Sequence, residues 1–362
     1  MMKKILVWLS WGVDSAVTAY LLQKQWYDIT AGFMINYLSD DGNCPTKQDI
    51  QEAKTVAEFL WIKFFTFDYQ KEYWDKIVEY IFEWYKHWYT PNPDILCNTE
   101  IKFKLFLEEA LNLGFDGIAT GHYARIEERW KLKVGSWKEK DESWISYALY
   151  KWKDPVKDQS YFLAGLEQWQ LSKALFPIWN MEKNEVRKIA NEIWLPNADR
   201  KDSQGLCFIW KVDMKDFLRK KLPIKKWKII DTEWKILGEH DGAWFFTIWQ
   251  RRGIWVSGPN PLYIVDKNVD NNTITVWEEK DLNLFSKELT TANRHWLSEK
   301  LDFPQAGYGR IRHWQELQKC EIFDLWDGKV KAIFENKQRA IASGQTFAFY
   351  QWDELVGSWV IA

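Results

Sequence analysis

Residues Ile5-Leu6-Val7-Trp8-Leu9 form a short, unbroken apolar run closed by Ser10, a pattern that predicts a strand buried on both faces. The segment 15–22 that follows is apolar at helical spacing and predicts the helix that this strand feeds. The alternation continues with a strand at 29–36, a helix at about 46–60, a strand at 63–67, a helix at about 69–86 and a strand at 116–120. Strands separated by helices need crossover connections, so this part of the chain predicts a doubly wound parallel sheet covered on both faces. From 121 to 207 the pattern is less regular, with a hairpin expected near 126–134 and a helix near 183–193.

After Cys207 helical spacing becomes scarce. Short β-like runs take over at 227–231, 235–237 and 244–247, and 262–265 is expected to pair with 273–276 as a hairpin. A second such block begins near 288, with runs at 321–323, 329–334 and 346–350. The expected architecture is therefore α/β at 1–207, a small central β-rich domain at 208–282 and a C-terminal β-barrel at 283–362.

The turn between the first strand and its helix reads Ser10-Trp11-Gly12-Val13-Asp14-Ser15. Strand, tight turn and helix N-terminus make an anion site, because the first N–H groups of the helix lack partners within it. Glycines in such a turn let the backbone approach a polyphosphate, whereas Trp11 places an indole there. Neither a Gly-x-x-x-x-Gly-Lys-Ser/Thr loop nor a Gly-x-Gly-x-x-Gly fingerprint occurs, which argues against P-loop hydrolysis and dinucleotide binding.

Composition narrows the picture further. The 362 residues, 46% hydrophobic and 28% charged, suit a globular protein of two or three domains. No apolar stretch approaches the ~18 residues that cross a bilayer, so no membrane partner is expected and the expected location is the cytoplasm. Cys44, Cys97, Cys207 and Cys320 are scattered without a Cys-x-x-Cys pair, which argues against a zinc site or disulfide scaffold; no metal ligands are assigned. A net charge of −2 gives no general electrostatic case for nucleic acid, although Arg219 to Lys226, Arg251-Arg252, and Arg310 with Arg312 are local basic clusters.

Tryptophan changes the picture most. There are 26 tryptophans against 18 glycines, where average usage gives about 25 glycines in such a chain. Trp26, Trp194 and Trp234 lie at turns or helix ends that favour a residue tolerant of positive φ, ordinarily glycine. A UGA codon that means glycine in the source organism but was translated as tryptophan would produce this pattern. A truly tryptophan-rich protein is the alternative.

Two further segments carry chemistry. In Thr90-Pro91-Asn92-Pro93-Asp94-Ile95-Leu96-Cys97-Asn98, two prolines stiffen a loop that presents Asn92, Asp94 and Cys97. Asn92 can offer a donor and an acceptor to a nucleobase edge, and a cysteine at the start of a helix would have a lowered pKa. The segment equally suits a capped loop with a buried cysteine. Cys207 ends the polar stretch Lys201-Asp202-Ser203-Gln204-Gly205-Leu206.

With glycine at 8 and 11, the opening segment resembles the pyrophosphate loop of the ATP pyrophosphatase superfamily, matching at Ser10, Gly12, Asp14 and Ser15. Together with 89–103, 119–124, 157–163, 202–209, 238–240, 250–253 and 343–345, it makes nearly the whole chain similar to the bacterial tRNA-specific 2-thiouridylase family. Departures fall mainly at tryptophans, among them Trp210, Trp234, Trp249 and Trp359, where that family has glycine; Trp74 and Trp296 read as true tryptophans.

The resemblance implies adenylation of the C2 oxygen of the wobble uridine of tRNA, followed by persulfide sulfur transfer, with ATP and Mg²⁺ as cofactors. It implies an ATP site of Trp8, Leu9, Ser10, Trp11, Gly12, Val13, Asp14 and Ser15 with Met34 and Gly121, and a target-base site of Asn92, Pro93 and Asp94. Cys207 would carry the persulfide, delivered by a sulfur-relay donor protein, and Cys97 would act as the second thiol, either as acid or base or by attacking the persulfide. The tRNA contacts implied are His122, Lys157, Asp158, Gln159, Arg312, His313 and Gln345, with Arg251 and Arg252 added from their charge. Another adenylating ligase of the superfamily would not need Cys97 and Cys207. A catalytically dead tRNA binder follows if Trp11 is genuine.

Overall fold

The computed structural model of the chain describes residues 2–38, 45–133, 142–153, 157–200, 217–219, 221–222, 224–256, 258, 260–268, 271–278, 285–298 and 301–362. The apolar runs at the start become a parallel sheet of β1 (Lys4–Trp8), β2 (Asp28–Ile35), β3 (Lys63–Asp68) and β4 (Gly117–Ala119). A long hairpin, β5 (Ala124–Lys133) and β6 (Glu142–Lys151), intervenes before the short fifth member, β7 (Ala174–Leu175). The order is β3-β2-β1-β4-β7, all parallel.

Alternation along β1 distributes its residues between two cores. Ile5 and Val7 pack on one face with Val13, Val17, Val56 and Val186, while Leu6 packs on the other with Ile77, Ile101 and Phe106. Both faces are buried, which is why the run is continuously apolar. The crossover after β1 leads to one side of the sheet and β4 lies on the other. The carboxyl ends of β1 and β4 therefore flank a topological switch point, the place where such sheets bind ligands.

A second sheet contains β8 (Trp227–Ile230), β9 (Ile236–His240), β10 (Leu262–Asn268) and β11 (Thr273–Glu278), in the order β10-β11-β8-β9. The strand expected at 244–247 is replaced by a turn of 3₁₀-helix, Ala243–Phe245. β12 (Phe285–Trp296), β13 (Gln305–Arg310), β14 (Gln318–Asp324), β15 (Val330–Arg339), β16 (Thr346–Gln351) and β17 (Glu354–Ile361) run β12-β15-β14-β13-β16-β17. Pairing of β12 with β17 closes these six into a barrel. Ile322, Val330, Phe334, Phe347, Phe349 and Trp359 fill it.

The hairpin β5–β6 belongs to this barrel's sheet. Tyr150 and Leu149 of β6 pair with Glu354 and Leu355 of β17. Beneath the seam lies a buried ion pair: Arg310 Nη1 of β13 donates to Asp158 Oδ2 at 2.6 Å. Asp158 also accepts from the backbone N–H groups of Trp152 and Ser160 and from the Ser160 hydroxyl.

Thirteen described residues other than glycine have positive φ, and nine of them are tryptophan: Trp26, Trp61, Trp88, Trp194, Trp234, Trp249, Trp255, Trp326 and Trp352. An L side chain in this region costs about 1–2 kcal/mol. Nine together approach the net stability of a whole domain, about 5–15 kcal/mol.

Candidate active site

The loop after β1 is organised by its serines. Ser15 Oγ donates to the carbonyl of Gly12 at 2.9 Å and accepts from the Ser10 backbone N–H at 3.1 Å, and Ser10 Oγ accepts from the Gly12 N–H at 3.1 Å. These bonds fold the chain tightly into the helix Val13–Lys24, for which extended Gly12 is the N-cap. After β4, Gly121 lies against that first turn; a Cβ on it would come within 2.9 Å of the Asp14 carbonyl carbon and 3.0 Å of the Ser15 nitrogen. Only glycine fits such an approach. Met34, near the end of β2, is buried in the adjoining core. Leu9 and Val13 are buried in the opposite core, so they anchor the loop through their side chains.

Asp14 projects from the first turn of the helix, where an incoming polyphosphate would meet its negative charge. Lys183 Nζ donates to both its oxygens, at 2.7 and 2.8 Å, and the Tyr123 hydroxyl donates to Oδ1 at 2.7 Å. Lys183 is the first residue of the helix Lys183–Glu192. Sequence reading missed it, because an N-terminal lysine on a surface-type helix carries no local sign of a partner 169 residues away.

The two loop tryptophans are held by cations. The Arg200 guanidinium carbon lies 4.1 Å from the centre of the Trp11 ring, and Arg200 itself pairs with Asp49 and Glu52. Lys102 Nζ lies 4.0 Å over the Trp8 ring. The Trp11 indole thus rests against Arg200, and Asn197 Nδ2 donates to the Trp11 carbonyl at 3.0 Å.

Pro93 opens a helix, Pro93–Leu96, that continues without a break into a π-helical stretch, Cys97–Leu105. Cys97 is buried and sits past the first turn. The expected placement at a helix start is thus corrected, since the field of a helix terminus fades within one turn. Lys102, also buried, lies on the same stretch and was missed in the sequence, where it reads as one of several alternating lysines.

Asn92 Nδ2 donates to the Tyr161 hydroxyl at 3.4 Å, and Tyr161 donates to the Thr346 carbonyl at 2.8 Å. Gln345 Nε2 donates to the carbonyls of Thr90 and Pro91, each at 3.0 Å. Residues at the start of β16 and just before it therefore fix the loop that carries Asn92, Pro93 and Asp94, all half-buried. His313, at the end of the barrel, stacks on Phe162 with ring centres 4.1 Å apart, and burial lowers its pKa to about 4.

Several residues expected to touch tRNA are placed otherwise. Asp158 and Arg310 are fully buried in their ion pair, which removes both from a phosphate-binding surface. His122 is buried, shares a 2.6 Å hydrogen bond with Thr120 Oγ1, and packs among Trp8, Phe103 and Phe176. Burial, with the charge of Lys102, holds its pKa well below the usual range. It is a neutral wall residue and does not serve as a cationic contact. Gln159 Oε1 accepts from the Tyr123 N–H at 3.0 Å, Arg312 Nη2 donates to the Ala340 carbonyl at 2.9 Å, and Lys157 is half-buried. Arg251 and Arg252 are exposed.

Cys320 is buried in the barrel, its thiol pushed up to about 12, which fits a structural role. Cys44, Cys207 and Trp210 lie outside the described residues. Among the described residues no group of three His, Cys, Asp or Glu side chains could hold a metal ion, and no helix is long and apolar enough to cross a membrane.

Comparison with known families agrees with this layout. Residues 3–211 match a tRNA methyl transferase HUP domain, 215–278 a tRNA methyl transferase PRC-barrel domain and 286–361 an aminomethyltransferase β-barrel domain. The chain is 41% identical to the tRNA-specific 2-thiouridylase MnmA 1 of Geobacillus kaustophilus over 99% of this chain and 95% of that protein. It is equally 41% identical to the MnmA of Flavobacterium johnsoniae over 100% of both, and 39% identical to that of Halalkalibacterium halodurans over 99% and 94%. With matches of this strength along its entire length, the chain belongs to the tRNA-specific 2-thiouridylase family.

Proposed function

We propose that this enzyme is a tRNA uridine 2-sulfurtransferase that converts the C2 oxygen of the wobble uridine to sulfur at the expense of ATP. The observation that carries this reading is one continuous helical segment. It begins at the Asn92-Pro93-Asp94 loop, bears Cys97, and sets Lys102 over Trp8 at the end of the phosphate-loop strand. Base recognition, thiol and nucleotide loop are thereby joined by a single rigid element.

The carbonyl oxygen of uracil is a poor leaving group. Its attack on the α-phosphate of ATP expels pyrophosphate and makes it part of an AMP leaving group. In one route the terminal sulfur of a persulfide on Cys207 bonds to C2 as AMP departs, with Cys97 as acid or base, and an external thiol then cleaves the S–S bond to Cys207 and frees the 2-thiouridine. In the other, Cys97 first attacks the Cys207 sulfur and releases hydrosulfide, which bonds to C2 as AMP departs, and an external thiol reduces the Cys97 to Cys207 disulfide that is left. The persulfide comes from a donor protein in the cytoplasm. Mg²⁺ would enter on the phosphates, since Asp14 is committed to Lys183 and Tyr123 and Mg²⁺ commonly relies on substrate phosphates for ligands.

The test is thiolation of transcribed tRNA with ATP and a persulfide donor, read as 2-thiouridine in nuclease digests. Cys97→Ser should still accept persulfide but fail to turn over. Full turnover of that variant would refute the role given to Cys97, and absence of 2-thiouridine with the unaltered chain would refute the function.

A further inference from the structure

We propose that positions 26, 61, 88, 194, 234, 249, 255, 326 and 352 hold glycine in the protein as its own organism makes it, the tryptophans arising from UGA codons read in the wrong code. The inference stands on backbone geometry and does not rest on the sulfur-transfer reading.

Helix ends give the sharpest comparison. Five helices close with the same pair of hydrogen bonds, in which the second residue beyond the helix cap reaches back five residues and the first reaches back to the next carbonyl. At Val13–Lys24 these are Tyr27 to Leu22 and Trp26 to Gln23. Ile62 to Ala57 with Trp61 to Glu58, Tyr89 to Trp84 with Trp88 to Tyr85, and Leu195 to Ala190 with Trp194 to Asn191 repeat the pattern. The fifth helix, Phe106–Asn112, ends with Phe115 to Ala110 and Gly114 to Leu111. The left-handed residue is thus glycine once, with φ 84°, and tryptophan four times, with φ from 56° to 69°.

The other five lie in turns. Trp352 is the first of two residues joining Gln351 of β16 to Glu354 of β17, where a two-residue hairpin with one left-handed residue takes glycine. Trp234 closes the turn between β8 and β9 by donating its N–H to the Asp231 carbonyl. Trp326 precedes the left-handed pair Asp327 and Gly328, and Trp255 follows left-handed Gly253 by two residues. Trp249 has φ 75°.

Trp249 stacks on Tyr263 under Arg339 and Trp88 packs on Trp244, but most of the other indoles gain little from burial. Seven of the nine, all but Trp88 and Trp249, are 77–93% exposed. The remaining non-glycine residues with positive φ are Asn272, Asn293, Asp327 and Ala340, of which three are the types that tolerate this region. A tryptophan-rich protein would spread its tryptophans by burial. Here nine of the 24 described tryptophans instead fall at positive φ, a region that bulky L side chains avoid. Trp74, helical and donating to Glu79 Oε1, is the contrasting genuine tryptophan, and Trp359 fills the barrel in extended backbone.

Peptide mass spectrometry of the protein isolated from its source cells reads each position, and the gene supplies each codon. The expected result is glycine and UGA at the nine positions, with tryptophan and UGG at 74. Tryptophan in the native peptides, or UGG codons at the nine positions, overturns the proposal. A recombinant chain carrying Trp26→Gly and the eight equivalent substitutions should show an upward shift in Tm relative to the chain as written; an equal or lower Tm would contradict the strain argument. Thiolation by the native protein is measured separately, so either proposal can fail alone.

Discussion

Lys183 neutralises Asp14 through two hydrogen bonds, 2.7 and 2.8 Å long, at the turn where a polyphosphate meets the first helix. Without it, a carboxylate would face the phosphates. Lys183→Met should raise the KM for ATP about 10- to 100-fold, the scale of a lost hydrogen bond between charged groups. Adding Asp14→Asn should recover part of the loss in pyrophosphate exchange, because the repulsion is then removed as well.

The Arg310–Asp158 pair has no access to water. Arg310→Met leaves a buried carboxylate without its partner and should cost about 3–5 kcal/mol, read as a lower midpoint in urea. Asp158→Asn should cost a similar amount, because its amide nitrogen replaces the oxygen that accepts from Arg310 and leaves the buried guanidinium without a counter-charge.

Gln345 holds Thr90 and Pro91 by two hydrogen bonds from one amide nitrogen. Gln345→Ala should lower kcat for thiolation by up to about tenfold, in line with about 0.5–1.5 kcal/mol per bond. The KM for ATP, set at the other loop, should stay unchanged.

His313 should make the fold sensitive to acid. Its pKa falls from 6.5 to about 4 on folding, so the unfolded chain binds more protons between these values and stability declines as pH drops through that window. His122, also depressed, acts in the same direction. His313→Gln should therefore flatten the fall in Tm between pH 6.5 and 4 without abolishing it.

Trp8 and Trp11 are the tryptophans at the nucleotide loop, each facing a cation. Trp8→Gly with Trp11→Gly should release Lys102 and Arg200 for an anion and strengthen ATP binding in calorimetry. Unchanged binding would mean that the indoles do not obstruct the site.

What the sequence disclosed was local. The continuous apolar run 5–9, the small polar turn and the helix spacing place β1 and its loop with no distant information, and the two prolines place the loop at 91–93. What it concealed was pairing over long separations. Asp158 reads as a surface acid because nothing near it reveals Arg310, 152 residues on. The hairpin β5–β6 reads as part of the first unit because its partner, β17, lies near the end of the chain. The 244–247 segment is aromatic and β-like in composition, but Ala243–Phe245 forms a turn of 3₁₀-helix. Tryptophan excess was visible in composition, while the positive φ of nine of these tryptophans was not.

The pairing of β6 with β17 has a consequence for synthesis. The hairpin leaves the ribosome about two hundred residues before its partner does, so its outer edge waits unpaired through most of translation. A nascent chain halted before residue 354 would offer that edge to any other strand, which makes β17 the seal on an edge made long before it.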